Sequence, residues 1–169
     1  MAAQKIFTRD FTFCFLAQYA ISSVIFILTP TLPIYLSRLG TGEAEIGVLI
    51  GISSIFSLIL RPFVGKGLSR RPEKVFLLAG ALILTLSMGA LLWAPPFWPL
   101  LILRAFHGIS AALFYTASFT LVANISPEER RGQSISLYYL SNNLALAIVP
   151  SLGMILINSF EVVSSSLVD

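Results

Sequence analysis

The chain has 169 residues, of which 56% are hydrophobic and 11% are charged, and its formal net charge is +3. A typical globular protein has about 25% charged residues, and a chain this short could not bury so much apolar surface in one core surrounded by water. The composition excludes an ordinary soluble enzyme, a disordered segment and a disulfide scaffold. The basic residues form short clusters and no continuous stripe, so no nucleic-acid partner is expected. The single cysteine, Cys14, permits no internal disulfide.

Long apolar segments follow one another along the chain, each close to the roughly 20 residues that cross a bilayer as a helix. They lie at residues 12–35, 46–64, 75–93, 99–123 and 133–157. Because backbone groups in lipid must be bonded within the segment, the sequence predicts an all-α membrane protein of about five transmembrane helices, embedded in a lipid bilayer. Residues 1–11 are the expected cytoplasmic N-terminus. Residues 158–169 are expected to form a tail in which the reading frame is truncated or shifted.

The basic residues outside the spans predict how the protein is oriented. On one side of the membrane lie Lys5, Arg9, Lys66, Arg70, Arg71, Lys74, Arg130 and Arg131. Arg38 falls on the other side. Cytoplasmic loops carry an excess of Lys and Arg, so we expect a multi-pass protein of the plasma (inner) membrane with its N-terminus in the cytoplasm.

The fourth span carries a charge and a polar stripe. At 100° per residue, the residues within about 60° of Arg104 are His107, Gly108, Ala111, Tyr115 and Ser118. A stripe of this kind on an apolar helix indicates a water-filled path. An arginine that snorkels from a helix end and a histidine that only packs are the structural alternatives. The spans contain no Asp or Glu, so His107 is the natural group to carry a proton.

Other spans add polar groups to this candidate site. Buried amides in lipid either join helices or line a cavity. The candidates for a substrate or proton pathway are Gln18, Tyr19, Arg104, His107, Tyr115 and Asn142. Two further patterns concern packing: Gly47 and Gly51 form a GxxxG pair that predicts a close helix contact, and Pro150 and Gly153 are expected to break the outer half of the fifth span.

Three segments resemble signatures of the major facilitator superfamily. Segment 65–74 is similar to the loop between helices two and three, through Gly65, Arg70, Arg71 and Lys74. In segment 104–112 an arginine is followed three and four residues later by a polar residue and a glycine, which is similar to the fourth-helix signature. Pro150 and Gly153 match part of the fifth-helix signature that is typical of exporters.

The resemblance implies that residues 12–157 form a partial N-terminal bundle of the major facilitator fold. It also implies a fragment of a secondary active transporter that moves a small solute, outward and coupled to protons. A second half, or another membrane partner, would complete the transport path. The alternative is a structural or assembly remnant that does not transport.

An intramembrane enzyme is the remaining alternative, and the residues do not favour it. A hydrolase needs a paired nucleophile and base or a metal cluster. Ser110 follows His107 by three residues but projects away from the polar stripe, and no acidic partner lies in the spans. We therefore expect no enzymatic activity, no cofactor and no metal site.

Overall fold

The computed structural model describes residues 6–91, 93 and 97–166. Over these residues the chain forms five long helices and no strand. The helices are α1 (Arg9–Arg38), α2 (Glu43–Leu68), α3 (Glu73–Leu91), α4 (Trp98–Ile125) and α5 (Arg131–Ser166), and a 3₁₀ turn at Glu128–Arg130 precedes α5. Each of the five helices is long and apolar enough to cross a membrane. The predicted all-α membrane fold is confirmed.

The outer surface of the bundle is apolar. Leu58 on α2 is 71% exposed and Leu82 on α3 is 60% exposed. Such exposure to water would forfeit the free energy that burying a leucine provides, whereas lipid tails are as apolar as leucine itself. Trp93 and Trp98 are exposed beside the ends of α3 and α4, where aromatic side chains favour the membrane interface. The chain is a multi-pass membrane protein.

The connection between α2 and α3 is shorter than the sequence predicts. Gly65 lies inside α2 and Lys74 lies inside α3, so residues 69–72 alone connect the two helices. The interpretation of segment 65–74 as a loop is therefore wrong at both ends. Glu73 in the first turn of α3 stabilises that helix start through its negative charge.

Helices α1 and α5 contain proline without being interrupted. Pro30 and Pro33 lie within α1, and Pro150 lies within α5. The prediction that Pro150 and Gly153 break the fifth span is wrong. Neighbouring helices and small local adjustments satisfy the backbone groups that proline leaves free in a membrane. Gly153 instead faces α1, where an added Cβ would lie 3.2 Å from Cγ1 of Ile27.

The fifth helix ends further along the chain than the sequence predicts. Helix α5 continues to Ser166, beyond Ile157 where the fifth span was predicted to end. The expected truncation or shift of the reading frame stays a prediction. Lys5 in the predicted cytoplasmic N-terminus, and residues 167–169 of the predicted tail, lie outside the described residues.

Helix α4 is the centre of the bundle. It packs along α2 and α3, whereas α1 packs along α5, and far fewer contacts join α4 to α1 and α5. Helix α4 is also the most buried of the five. The described residues thus form two packing groups, α2–α3–α4 and α1–α5, and we call the boundary between them the seam.

Glycines allow the close approach of α4 to its neighbours. A Cβ on Gly108 of α4 would collide with the carbonyl of Ser53 on α2, and one on Gly80 of α3 would lie 3.0 Å from a backbone nitrogen of α4. The predicted close contact at Gly47 and Gly51 is wrong, because nothing lies within 4 Å of a Cβ built at either. Ser53 follows Gly51 by two residues, about 200° around the helix, so the pair faces away from α4.

Candidate functional site

Two cavities lie along the seam. The first has a volume of about 470 Å³ between α1, α2 and α4. Its polar lining residues are Thr29, Ser53, Ser54, Ser57, Arg61, Arg104 and His107. The second has a volume of about 540 Å³ and reaches α5. Its polar lining residues are Gln18, Arg61, Tyr115, Thr116, Thr120, Tyr139 and Asn142. Both volumes fall in the range of small-molecule sites.

Residues that follow the same spacing pattern on α2 and on α4 line the first cavity. On α2 these are Ser54, Ser57, Leu58 and Arg61, and on α4 they are Arg104, His107, Gly108 and Ala111. Both sets follow the spacing i, i+3, i+4, i+7, which places each set on one face of its helix. We call the two sets together the α2–α4 face. Its arginines and histidine lie within an otherwise apolar bundle.

Arg104 turns inward, toward α2. Its Nε atom donates a hydrogen bond of 3.0 Å to the main-chain carbonyl of Leu49, and the side chain also lines the first cavity. A guanidinium has four further N–H donors. A snorkelling arginine would extend toward the membrane surface, whereas the bond to Leu49 directs Arg104 to the backbone of the neighbouring helix α2.

His107 lies one turn further along α4 and is buried without a hydrogen bond. The side chain is 5% exposed, and neither ring nitrogen has a partner. Most buried polar atoms in proteins are bonded, so an unpaired pair of nitrogens requires an explanation. His107 lines the first cavity, but its two ring nitrogens are themselves buried, so they lack a partner even though the residue borders the cavity.

A buried hydrogen-bond network joins α1 to α5 and reaches across the seam to α4. Tyr138 on α5 donates to Oε1 of Gln18 on α1 at 2.8 Å. Ser22 donates to Oδ1 of Asn142 at 2.9 Å and lies 3.3 Å from the hydroxyl of Tyr115 on α4. Gln18 and Ser22 are 1% and 0% exposed. We call these five residues the seam network. It joins α1 to α5 and links both to α4 across the seam.

The structure brings most of the predicted site residues together. Arg104 and His107 line the first cavity, and Gln18, Tyr115 and Asn142 line the second. Asn142 both joins helices and lines a cavity, the two roles that the sequence left open. Tyr19 lines neither cavity.

The residues of the helix 2–3 signature lie away from the cavities. Gly65, Arg70, Arg71 and Lys74 are exposed at the end of the bundle where α2 ends and α3 begins. Pro150 and Gly153 belong to α5, and Gly153 contributes to its packing against α1.

Sequence reasoning missed two residues of the site. Arg61 is the larger omission, because it lines both cavities. Its signal was present: a charged residue within a predicted span is a functional candidate, and its spacing from Ser54 and Ser57 marks one helix face. Ser22 shares a helix face with Gln18 in the sequence but was left out of the candidate pathway residues, since a serine in a membrane helix often bonds its own backbone. Within the described residues, no three His, Cys, Asp or Glu side chains come together as metal ligands.

Residues 12–167 match the sequence profile of the Major Facilitator Superfamily. The chain belongs to this family. Known proteins similar to this superfamily member include the Multidrug resistance protein MdtG of Proteus mirabilis, 33% identical over 127 residues that cover 72% of this chain and 30% of the relative. A second is the Multidrug resistance protein MdtG of Rahnella sp., 30% identical over 152 residues, 87% of this chain and 36% of the relative. A third is the Multi-drug resistance efflux pump PmrA homolog of Lactococcus lactis, 25% identical over 156 residues, 90% of this chain and 38% of the relative.

This superfamily chain spans about a third of the length of these relatives. The family match extends over all five described helices and through the end of α5. The predicted resemblance to a partial major facilitator bundle is therefore confirmed.

Proposed function

We propose that this chain forms part of a secondary active exporter that moves a small solute across the plasma membrane in exchange for protons. The α2–α4 face is the observation that carries the proposal: charged and hydroxyl side chains line a cavity inside a bundle whose outer surface is apolar. Polar groups inside a membrane are costly, and they mark substrate and ion pathways. The efflux relatives support outward transport.

The orientation proposed for the transporter places the N-terminus in the cytoplasm. The exposed basic residues Arg70, Arg71 and Lys74 lie at the same end of the bundle as the start of α1, and Arg130 and Arg131 lie there too. Cytoplasmic loops are enriched in such residues. In this orientation the seam network lies in the cytoplasmic half of the bundle, and Arg104 and His107 lie in the outer half.

The path has one wall in this chain. The described cavities are open clefts along the seam, and in secondary transporters a second repeat supplies the opposite wall and rocks against the first. We propose that a second helical bundle faces the α2–α4 face, and that the substrate and protons pass between the two. We propose no catalytic chemistry and no resident cofactor.

His107 is the proposed proton carrier. It is buried beside the first cavity with both ring nitrogens free of protein partners, and an imidazole is the side chain whose charge changes most readily near neutral pH. Arg104 lies on the same face and opposes a second positive charge there. We therefore expect the binding of a substrate in the cavity and the binding of a proton by His107 to influence each other.

The test uses inside-out membrane vesicles that contain the native polypeptide carrying this chain. A pH gradient is established, and its partial collapse on addition of a drug panel is followed with a pH-sensitive dye. We expect at least one substrate to collapse the gradient, and we expect His107→Gln and Arg104→Gln to abolish that response. Arg130→Gln, an equal charge change on the surface, serves as the matched control and leaves it intact.

Two results would contradict the proposal. An unchanged gradient with every compound, in vesicles that contain correctly inserted protein, would argue against export. A normal response from His107→Gln would remove the assigned proton carrier while leaving transport in place.

A further inference from the structure

We infer that the α2–α4 face binds the anionic group of an amphipathic substrate, and that Arg61 is one of its contact residues. The inference rests on the proposed function and names the substrate class of the same site. Its starting point is the charge of the lining. The two cavities are lined by Arg61, Arg104 and His107, and none of their lining residues is Asp or Glu.

The protein balances the positive charges of the two guanidinium groups only in part. A charged side chain within a membrane helix is costly unless a partner or water balances it. Arg104 gains one hydrogen bond from the neutral carbonyl of Leu49, which leaves its charge unbalanced. Arg61 lines both cavities. An anion in the cavities would balance these charges with short, charge-assisted hydrogen bonds.

The packing of α2 against α4 places the two arginines at different depths. Leu49 meets Arg104, and Ser53 meets Gly108, so the two helices run in the same direction with a constant offset in sequence. By that offset Arg61 lies level with Thr116, which lines the second cavity with it. Twelve residues along α4 at 1.5 Å each separate the two levels by about 18 Å. The arginines therefore form two successive anion-binding positions along the path.

The other residues that line the two cavities fit an apolar or aromatic part of a substrate. Ile25 and Phe26 on α1 add apolar side chains to the lining of both cavities. In the second cavity Phe119 and Tyr139 are stacked, with ring centroids 5.6 Å apart. A lining with both apolar and cationic side chains selects a molecule with both characters. A lipophilic cation would match the apolar side chains but would be repelled by both guanidiniums.

The experiment compares three probes of one ring system and different charge. They are naphthalene-2-sulfonate, 2-naphthol and trimethyl(2-naphthyl)ammonium. Binding to the native polypeptide that carries this chain, held in lipid nanodiscs, is measured by equilibrium dialysis with protein-free nanodiscs as the blank. The variants are Arg61→Gln, Arg61→Lys, Arg104→Gln and the surface control Arg130→Gln. The melting temperature of each variant shows that it is folded.

We expect the sulfonate to bind more tightly than the naphthol, and the ammonium probe to bind least. Loss of a charge-assisted hydrogen bond predicts that Arg61→Gln weakens sulfonate binding by about tenfold or more, while naphthol binding is unchanged. Arg61→Lys keeps the charge and retains most of the affinity. Arg104→Gln also weakens sulfonate binding, and Arg130→Gln does not.

The outcomes separate the two proposals. Tighter binding of the ammonium probe would overturn the anionic substrate and leave the exporter in place. Sulfonate binding that is insensitive to Arg61→Gln would overturn the role of Arg61. Binding of none of the three probes would overturn the anionic site and count against a small-molecule path as well.

Discussion

The hydroxyl of Tyr138 on α5 donates a 2.8 Å hydrogen bond to Oε1 of Gln18 on α1, and both side chains are fully buried. These residues lie 120 positions apart in the chain. Gln18 also contacts Ser22, and through it the bond reaches Tyr115 on α4. One buried amide thus links α1 to α5 and, through Ser22, to α4.

A double-mutant cycle of Gln18→Leu and Tyr138→Phe tests this bond. Gln18→Leu removes the acceptor of the buried Tyr138 hydroxyl, and Tyr138→Phe leaves Oε1 of Gln18 with only the 3.5 Å bond from Ser118, so each should lower the free energy of unfolding. The double variant should lose less than the sum. We expect a coupling energy on the order of 1 kcal/mol, within the range found for interhelical hydrogen bonds in a membrane protein. Unfolding in mixed detergent micelles provides the measurement, and additive losses would mean that the two groups do not interact.

Adjacent asparagines on α5 allow a comparison within one turn of helix. Asn142 accepts a hydrogen bond from Ser22 at 2.9 Å, whereas Asn143 is exposed. Asn142→Ala should cost about 0.5–1.5 kcal/mol, the net worth of one hydrogen bond, and Asn143→Ala should change the free energy of unfolding little. The same micelle titration compares them. Equal effects of the two substitutions would contradict the placement of α5 against α1.

The contact of α4 with α2 is tested by two glycines. Gly108→Leu forces a side chain into the carbonyl of Ser53 and the Cβ of Phe56, so the two helices must separate. Gly51→Leu on α2 enters open space. Overpacking a close contact costs about 1–3 kcal/mol or more. We expect the Gly108 variant to lose its cooperative thermal transition and the Gly51 variant to keep it. Loss of the transition in the Gly51 variant alone would show that the helices pack through the other face of α2.

His107→Leu should stabilise the chain while impairing its function. The substitution removes two buried nitrogens without partners, and such groups cost about 1–3 kcal/mol. Ser110→Ala is the matched control on the same helix. The Ser110 hydroxyl donates to the carbonyl of Gly80 at 2.8 Å, so its loss should destabilise the chain. Melting temperatures measured in detergent without substrate decide the sign. A lower melting temperature for His107→Leu would mean that the imidazole is a packing residue with a partner.

The spans and the fold class could be predicted from the sequence because lipid imposes a simple rule. A segment without charges that is long enough to cross the bilayer must be a helix there. Arg104 and His107 were found for the same reason, since polar groups stand out in apolar segments. The ends of the helices were less predictable: α2 continues past Gly65 to Leu68 and α5 continues past Ile157 to Ser166, because hydropathy reports the lipid boundary and not the last hydrogen bond of the helix.

Which helix faces meet could not be predicted from the sequence. Gly47 and Gly51 have the right spacing for a close contact, yet Gly108 makes it. Spacing defines a face but does not say which neighbour that face meets. Arg61 was missed for the same reason. Near the end of its predicted span, its side chain could equally face the membrane surface. The packing of α2 beside α4 is what places it on both cavities.

Thiol labelling tests most directly whether the α2–α4 face lines a water-filled, positively charged path. In a Cys14→Ser background, Ala111→Cys on this face and Leu82→Cys on the lipid-exposed side of α3 are treated with an anionic and a cationic methanethiosulfonate. Rates are normalised to those of a free thiol in water. We expect Ala111→Cys to react with both reagents and faster with the anionic one, and Leu82→Cys to react with neither. An unreactive Ala111→Cys, or one that prefers the cationic reagent, would contradict a positively charged aqueous path along this face.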